Sequence, residues 1–223
     1  MTFVIVGGCT CSICASSVNL MGPANTRTDK ADSRAGPTPV RASSFREIGI
    51  QKATLIGLSA GSTIALDAAL AAPQRFDRLV LVGPSISGHV SRTPLPFTAD
   101  LTAALQQRDY QKVSEVLLGS SVFAVPPESQ ALVRQMVMEN DRMWSVPREL
   151  LRQTEHPAIN RLDEIKIPML IMLGENDLLQ REEAELLSRR VSGARLVVVA
   201  RGGHLLNLTS PEEFRAQVSQ FLR

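Results

Sequence analysis

Ser59 lies between two glycines in the run Gly57-Leu58-Ser59-Ala60-Gly61. An apolar stretch from Ala53 to Ile56 precedes this run, and an alanine-rich stretch beginning at Ser62 follows it. A serine on a sharp turn between a strand and a helix needs small neighbours, because larger side chains would clash in the strained backbone. Such a turn exposes the hydroxyl and places the N–H of Ala60 at a helix N-terminus, where it can stabilise a developing oxyanion. The pattern therefore predicts a nucleophilic serine at position 59 and an oxyanion donor at position 60.

A serine hydroxyl is a weak nucleophile at neutral pH, so a base must accept its proton and a third group must orient that base. His204 follows an apolar run at 194–199, and Asp177 follows another at 167–173. The carboxyl ends of parallel strands form the edge where sites of open α/β folds collect. Asp177 is therefore the predicted acid and His204 the predicted base. Glu175 is an alternative acid, although Asp177 lies further beyond its strand.

The elements that would position these residues alternate short apolar runs with longer helical stretches from Ala53 onward. This alternation is typical of parallel strands joined by crossover helices and predicts an α/β fold. The predicted strands are 53–56, 78–82, 167–173 and 194–199. A helix is expected over 62–72, ended by Pro73, and another from about Ser210, where a capping serine precedes proline and two acids. Residues 3–6 form a further short strand candidate.

About 75 residues between the second and third of these strands read as successive helices, more than a crossover requires. Apolar residues at helical spacing predict one amphipathic pair around 101–117 and a second around 132–144. These faces either pack against the body of the protein or line a substrate cavity. Under the second interpretation, the candidate pocket residues are His89, Met136, Met143 and Trp144.

Charge and hydrophobicity exclude several classes of function. The 24 basic and 22 acidic residues give a formal net charge of +2. Because no block of like charge forms a basic face, nucleic acid is not expected as a partner. No apolar run approaches the roughly 20 residues that cross a bilayer, so a membrane partner is not expected either. A homo-oligomer is possible.

The three cysteines, Cys9, Cys11 and Cys14, lie close together near the start of the chain. Their odd number does not suggest a disulfide framework, so a reducing cytoplasm is the expected location. A zinc site would need a fourth ligand at suitable spacing, and the first histidine is His89. We therefore expect neither a metal nor any other cofactor.

The stretch from Ala53 to Arg223 resembles the α/β-hydrolase superfamily with a helical cap. The family's nucleophile elbow matches 57–61, its acid loop matches 174–177, and its histidine loop with the following helix matches 203–214. Nearer the start, Val4 to Gly8 resembles the loop that donates the second oxyanion N–H, with glycine in place of the family's histidine. The resemblance thus implies Gly8 as the second donor.

The resemblance also implies a division of the chain. Residues 49–86 and 165–223 would form a core with a mostly parallel sheet, and residues 87–164 would form an inserted helical cap. Residues 1–48 are expected to be divergent or poorly ordered, since family members normally carry two further strands before the second oxyanion loop. The N-terminal part of the fold would then be incomplete.

The activity that the resemblance implies is hydrolysis of a carboxylic ester or lactone through an acyl-enzyme, with a small molecule as substrate and no cofactor. The same three residues serve carbon–carbon bond hydrolases and amidases of the superfamily, and these remain open. A dehalogenase would need a carboxylate at position 59. A non-catalytic remnant of the fold is the alternative from another class, because the front strands are missing.

Overall fold

A computed structural model of the protein describes residues 51–140, 144 and 155–223, together with the backbone of residues 3–6 and 19–21. Within these residues the strands are β1 (Phe3–Val6), β2 (Asn19–Met21), β3 (Ala53–Leu58), β4 (Phe76–Val82), β5 (Met169–Gly174) and β6 (Ala194–Val199). The helices are α1 (Ala60–Ala71), α2 (Thr98–Gln106), α3 (Tyr110–Gly119), α4 (Pro127–Glu139), α5 (Arg181–Arg190), α6 (Leu206–Thr209) and α7 (Pro211–Leu222). Short 3₁₀ turns cover Pro73–Arg75, Ala158–Asn160 and Leu162–Glu164.

In the described part of the chain the strands form one sheet in the order β2-β1-β3-β4-β5-β6. Every neighbouring pair from β1 to β6 is parallel, and β2 joins β1 antiparallel. The predicted α/β fold with a mostly parallel sheet is therefore confirmed. The carboxyl ends of β3, β4, β5 and β6 meet at one edge, which is where the candidate residues follow their strands.

Helices cover both faces of the sheet, as a parallel sheet requires. Side chains alternate along β5, where Met169, Ile171 and Leu173 pack into a cluster with α1 and α5. Leu170 and Met172 pack into a second cluster on the opposite face, together with Val218 of α7. All five β5 side chains are buried, which explains why this strand reads as an uninterrupted apolar run.

Residues 87–164, called the intervening segment below, make up most of the chain between β4 and β5 and contain α2, α3 and α4. Asp109 caps α3, since its carboxylate accepts a hydrogen bond from the Lys112 N–H at 2.9 Å. Ala104, Val113, Leu117 and Val137 form a small core, with Trp144 packed against it. None of the helices in the described parts of the chain is long and apolar enough to cross a membrane.

The second amphipathic pair predicted in this segment buries only part of its apolar set. On α4, Val133 and Val137 are buried, whereas Leu132 is 47% exposed and Met136 is 43% exposed. Residues four apart share one face of a helix, so these two pairs point in different directions. The sequence thus places apolar residues on two faces of α4, and only the face with Val133 and Val137 is buried.

Candidate active site

Ser59 lies on a tight turn between β3 and α1. Its backbone has φ 53° and ψ −123°, a conformation that a non-glycine residue rarely adopts and that costs of the order of 1 to 3 kcal/mol. The Ser59 N–H donates to the Val82 carbonyl at 2.9 Å, which holds the turn against the end of β4. A Cβ on Gly57 would come within 2.6 Å of the Gly61 oxygen, so the turn can close only with glycine there. The local geometry is that of the predicted elbow.

Ala60 is the first residue of α1. The first N–H groups of a helix have no partner within the helix, and the helix dipole adds partial positive charge at this end. The Ala60 N–H is thus available to an oxygen that carries negative charge. Gly8, the other predicted donor, lies outside the described residues.

Asp177 and His204 form a buried hydrogen-bonded pair. The Asp177 Oδ2 lies 2.8 Å from the His204 Nδ1, and the two residues are only 0% and 3% exposed. The other carboxylate oxygen of Asp177 accepts a hydrogen bond from the Gln180 N–H at 3.3 Å. Because Nδ1 faces the carboxylate, it carries the ring proton in the neutral tautomer, and Nε2 is left as the basic nitrogen.

The loops after β5 and β6 are joined by backbone hydrogen bonds, which fixes this pair. The Asn176 N–H donates to the Gly202 oxygen at 2.9 Å. Glu175, the alternative acid, instead accepts a hydrogen bond on its Oε2 from the Arg201 N–H at 2.8 Å. Glu175 therefore holds the two loops together, while Asp177 is the carboxylate that contacts the imidazole.

Gly83 is packed closely against the Asp177–His204 pair. Its φ is +48°, and a Cβ there would lie 2.8 Å from both the Asp177 Oδ2 and the His204 Nδ1. The preceding residue, Val82, accepts the hydrogen bond from Ser59. All three predicted residues thus gather around the end of β4. Gly83 was not predicted, although a glycine directly after the apolar run at 79–82 is a usable signal of close approach.

The intervening segment touches His204 directly. The His204 N–H donates to the Val122 oxygen at 2.6 Å. The ring of Phe123 packs edge-on against the imidazole, with centroids 5.0 Å apart and planes at 67°. Phe97 supports Phe123 in a second T-shaped contact at 6.1 Å. Phe123 was missed because it lies between α3 and α4, where no helical periodicity marks it.

The remaining candidates are dispersed. The Met136 side chain is 43% exposed, Trp144 is half-buried against the core of the intervening segment, and Met143 lies outside the described residues. The cysteines at positions 9, 11 and 14 lie outside them as well. His89 borders an open groove with Ile159, Leu186 and Arg189, on the side of α5. Contact of a substrate with His89, Met136, Met143 or Trp144 stays a prediction.

His89 makes its own contact with a carboxylate. Its Nδ1 is 3.0 Å from the Glu183 Oε1, and its Nε2 is 3.9 Å from the Glu182 Oε2. Within the described part of the chain, neither His89 Nδ1 nor Glu183 Oε2 has a hydrogen-bond partner, so the shorter contact is poorly aligned. Burial raises the pKa of Glu183, and the nearby histidine offsets only part of this rise.

The chain is similar to known hydrolases in sequence. Residues 41–208 match the model of the family described as serine aminopeptidase, S33. Carboxylesterase YbfK of Bacillus subtilis strain 168 is 30% identical over 187 residues, which are 80% of this chain and 60% of that protein. A 2-hydroxy-6-oxononadienedioate/2-hydroxy-6-oxononatrienedioate hydrolase of Burkholderia vietnamiensis is 28% identical over 79% of this chain and 64% of its own length. The chain thus spans about three fifths of the length of these curated relatives.

Solved structures agree with the fold. The crystal structure of the B. subtilis carboxylesterase has a TM-score of 0.62 and 25% identity, covering 80% of this chain and 62% of that one. An esterase from Exiguobacterium antarcticum has a TM-score of 0.64 at 20% identity, covering 81% and 70%. These similarities confirm the predicted α/β-hydrolase fold.

Proposed function

Because the chain belongs to the serine aminopeptidase S33 family of α/β-hydrolases, we propose that it hydrolyses a carboxylic ester or lactone through an acyl-enzyme on Ser59. The observation that carries this proposal is the buried Asp177–His204 hydrogen bond beside a serine in a strained turn. Both parts are costly to maintain, and together they provide a base and a nucleophile. The names of the similar esterases support the same class of substrate.

In the proposed mechanism, His204 Nε2 accepts the proton of Ser59 Oγ as Oγ attacks the substrate carbonyl carbon. Asp177 keeps the Nδ1 proton in place and stabilises the imidazolium that forms. The Ala60 N–H, at the N-terminus of α1, donates to the carbonyl oxygen as it becomes negative. His204 then returns the proton to the leaving alcohol, and water attacks the acyl-enzyme by the same route to release the acid. No cofactor takes part.

The intervening segment is proposed to form the roof of the site. Its contacts with His204 through Val122 and Phe123 support this role. The substrate would then enter between the sheet edge and this segment. Met143 and Trp144 remain candidates for apolar contact with the acyl or alcohol group. His89 and Met136 are weaker candidates, because His89 contacts α5 and the Met136 side chain is exposed to solvent.

Labelling with a fluorophosphonate probe tests the proposal, since only an activated serine reacts rapidly. We expect a single adduct on Ser59 by peptide mass spectrometry, together with hydrolysis of short-chain aryl esters. Ser59→Ala should remove the label and reduce turnover by about 10⁶-fold, as complete loss of a serine nucleophile does. A folded wild-type protein that takes up no label would favour the non-catalytic remnant instead.

A carbon–carbon bond hydrolase is the second candidate, because several relatives carry that name at 26–28% identity. The same serine, acid and base would serve it. A vinylogous 1,5-diketone substrate tested beside aryl esters separates the two activities by their kcat/KM values.

We also propose a cytoplasmic location, from the odd cysteine count, and a small molecule rather than nucleic acid or membrane as partner.

A further inference from the structure

Two hydroxyl groups outside the predicted site connect to the nucleophile turn. The Ser85 Oγ donates a hydrogen bond to the Ser59 carbonyl oxygen at 3.0 Å. The Thr63 Oγ1 lies 2.7 Å from the same Ser85 Oγ. Thr63 is in the first turns of α1, and Ser85 is in the loop after β4 that leads into the intervening segment. Neither residue is required by the proton transfers described above.

The direction of this chain follows from counting protons. A carbonyl oxygen can only accept, so the single hydroxyl proton of Ser85 is committed to Ser59. The Ser85 oxygen must then accept from Thr63, whose hydroxyl is the donor. The chain therefore runs from Thr63 to Ser85 to the Ser59 carbonyl, and each bond strengthens the next by polarisation.

The Ser59 carbonyl belongs to the same peptide group as the Ala60 N–H. A trans peptide is planar, so the C=O and the N–H point in opposite directions and turn together. Hydrogen bonds that hold the Ser59 carbonyl therefore also hold the direction of the Ala60 N–H. The Ser62 N–H also donates to this oxygen at 2.8 Å, which gives the carbonyl two donors. When the carbonyl of a peptide group accepts hydrogen bonds, the N–H of the same peptide group becomes a better donor.

We propose that Ser85 is a positioning residue, which aims and polarises the Ala60 N–H toward the oxyanion, with Thr63 supporting it. The inference rests on the proposed function, in which that N–H stabilises the transition state. Oxyanion stabilisation depends on donors that are oriented before the reaction begins. Loss of the Ser85 hydroxyl would leave a freer and less polarised N–H, without changing Ser59, Asp177 or His204.

Ser87 provides a matched control in the same loop. Its Oγ donates to the Asp67 Oδ1 at 2.7 Å and accepts from the Ala158 N–H at 2.7 Å. It thus also ties the loop to α1, but without contact with the nucleophile turn. A purely structural effect of losing a loop hydroxyl should appear equally in Ser85→Ala and Ser87→Ala.

Steady-state hydrolysis of an aryl ester tests the catalytic part. For Ser85→Ala we expect kcat to fall about tenfold with little change in KM, less than the 10²- to 10³-fold loss for removing an oxyanion donor outright. Ser85→Thr should restore most of the rate, and Thr63→Val should lower kcat less than Ser85→Ala does. Ser87→Ala should lower thermal stability while leaving kcat within about twofold of wild type. Equal kcat values for Ser85→Ala and wild type would overturn the inference.

The amide resonance of Ala60 tests the geometric part independently of turnover. Loss of a hydrogen bond to the Ser59 carbonyl should shift the ¹⁵N signal of Ala60 in Ser85→Ala and leave it unchanged in Ser87→Ala. An unshifted Ala60 signal would show that Ser85 does not act on this peptide group, whatever the kinetics. If the wild-type protein hydrolyses nothing while the Ala60 signal shifts, the hydrogen bond stands and the proposed function fails.

Discussion

His204 and His89 each contact a carboxylate, and only the contact of His204 has the geometry that catalysis requires. His204 and Asp177 are joined by an aligned hydrogen bond of 2.8 Å. His89 Nδ1 and Glu183 Oε1 are 3.0 Å apart, but among the residues that the structure describes His89 Nδ1 has no hydrogen-bond partner and Glu183 Oε2 is buried without a donor. The sequence offers both histidines after strands, so residue type and approximate position do not separate them.

What separates the two pairs is the backbone that holds each partner. The loops of Asp177 and His204 are hydrogen-bonded to each other. In addition, the Val122 oxygen holds the backbone N–H of His204, and the Phe123 ring packs against its imidazole. Glu183 lies on helix α5, and besides His89 its carboxylate is near the side-chain amide of Gln180. In the orientation that satisfies its surroundings, the amide nitrogen of Gln180 donates to the Pro84 oxygen at 3.0 Å and to the Glu183 Oε1 at 3.3 Å. Proximity of acid and imidazole is thus insufficient without a frame that aligns them.

Removing one carboxylate from each pair is the strongest test of this contrast. Asp177→Asn should reduce kcat by about 10⁴-fold, because an amide stabilises the wrong imidazole tautomer. Glu183→Gln should leave kcat within a few-fold of wild type, since Glu183 touches neither Ser59 nor His204. Ester hydrolysis by the two purified variants provides the comparison. Similar losses in both would mean that the two pairs act as one system.

His204 also has an aromatic contact, with Phe123, and removal of this contact should have an intermediate effect. An edge-on aromatic pair contributes about 0.5 to 1.5 kcal/mol beyond its buried area. Phe123→Leu keeps an apolar side chain and should lower kcat/KM by about two- to twelvefold. Leu105→Ala is the control, because Leu105 packs against the core of the intervening segment. If Leu105→Ala lowers kcat/KM as much, loosening of the segment and not the ring contact is responsible.

The smallest expected effect is on stability and comes from Glu183. Burial raises its pKa in the folded protein above the ordinary value of 4.5. Between that value and the raised pKa the folded state binds more protons than the unfolded state, so the free energy of unfolding falls as the pH rises. Glu183→Gln should remove this fall in the free energy of unfolding. The variant should therefore be more stable than wild type at a pH above the raised pKa of Glu183. Urea denaturation at pH 4 and pH 7 measures the difference.

Glu182 is the control, because its pKa is shifted in the opposite direction to that of Glu183. A hydrogen bond from Thr93 is the main cause that lowers its pKa. The carboxylate therefore stabilises the folded protein above pH 4.5, and this contribution is lost as the pH falls through the lowered value. Glu182→Gln should be slightly less stable than wild type at pH 7 and about as stable as wild type at low pH. Parallel pH profiles for the two variants would contradict the assigned shifts.

The sequence predicted the parts of the site that depend on local patterns. The strand at 194–199 was found with its exact bounds, and the helix from Ala60 began within two residues of its predicted start. Strand, glycine turn and helix are consecutive in the chain, so their signals reinforce one another. The loops that carry Asp177 and His204 follow strands whose apolar runs are unambiguous.

The contacts that the sequence did not reveal join segments far apart in the chain. Ser85 reaches Ser59, and Phe123 reaches His204, through packing that no periodicity records. Met136 was chosen for its apolar type, but the face of α4 that carries it is not the one that packs inward. Such choices depend on how helices dock, which the hydrophobic pattern of one helix does not determine.

The hydrogen bond from the His204 N–H to the Val122 oxygen also allows hydrogen exchange at this amide to report when the intervening segment separates from the loop after β6. This amide can exchange its proton with solvent only when the loop after β6 separates from the intervening segment. Its exchange rate therefore measures how often the segment lifts away while the sheet stays folded. A ligand that closes the segment should slow exchange at His204 more than at amides inside β5.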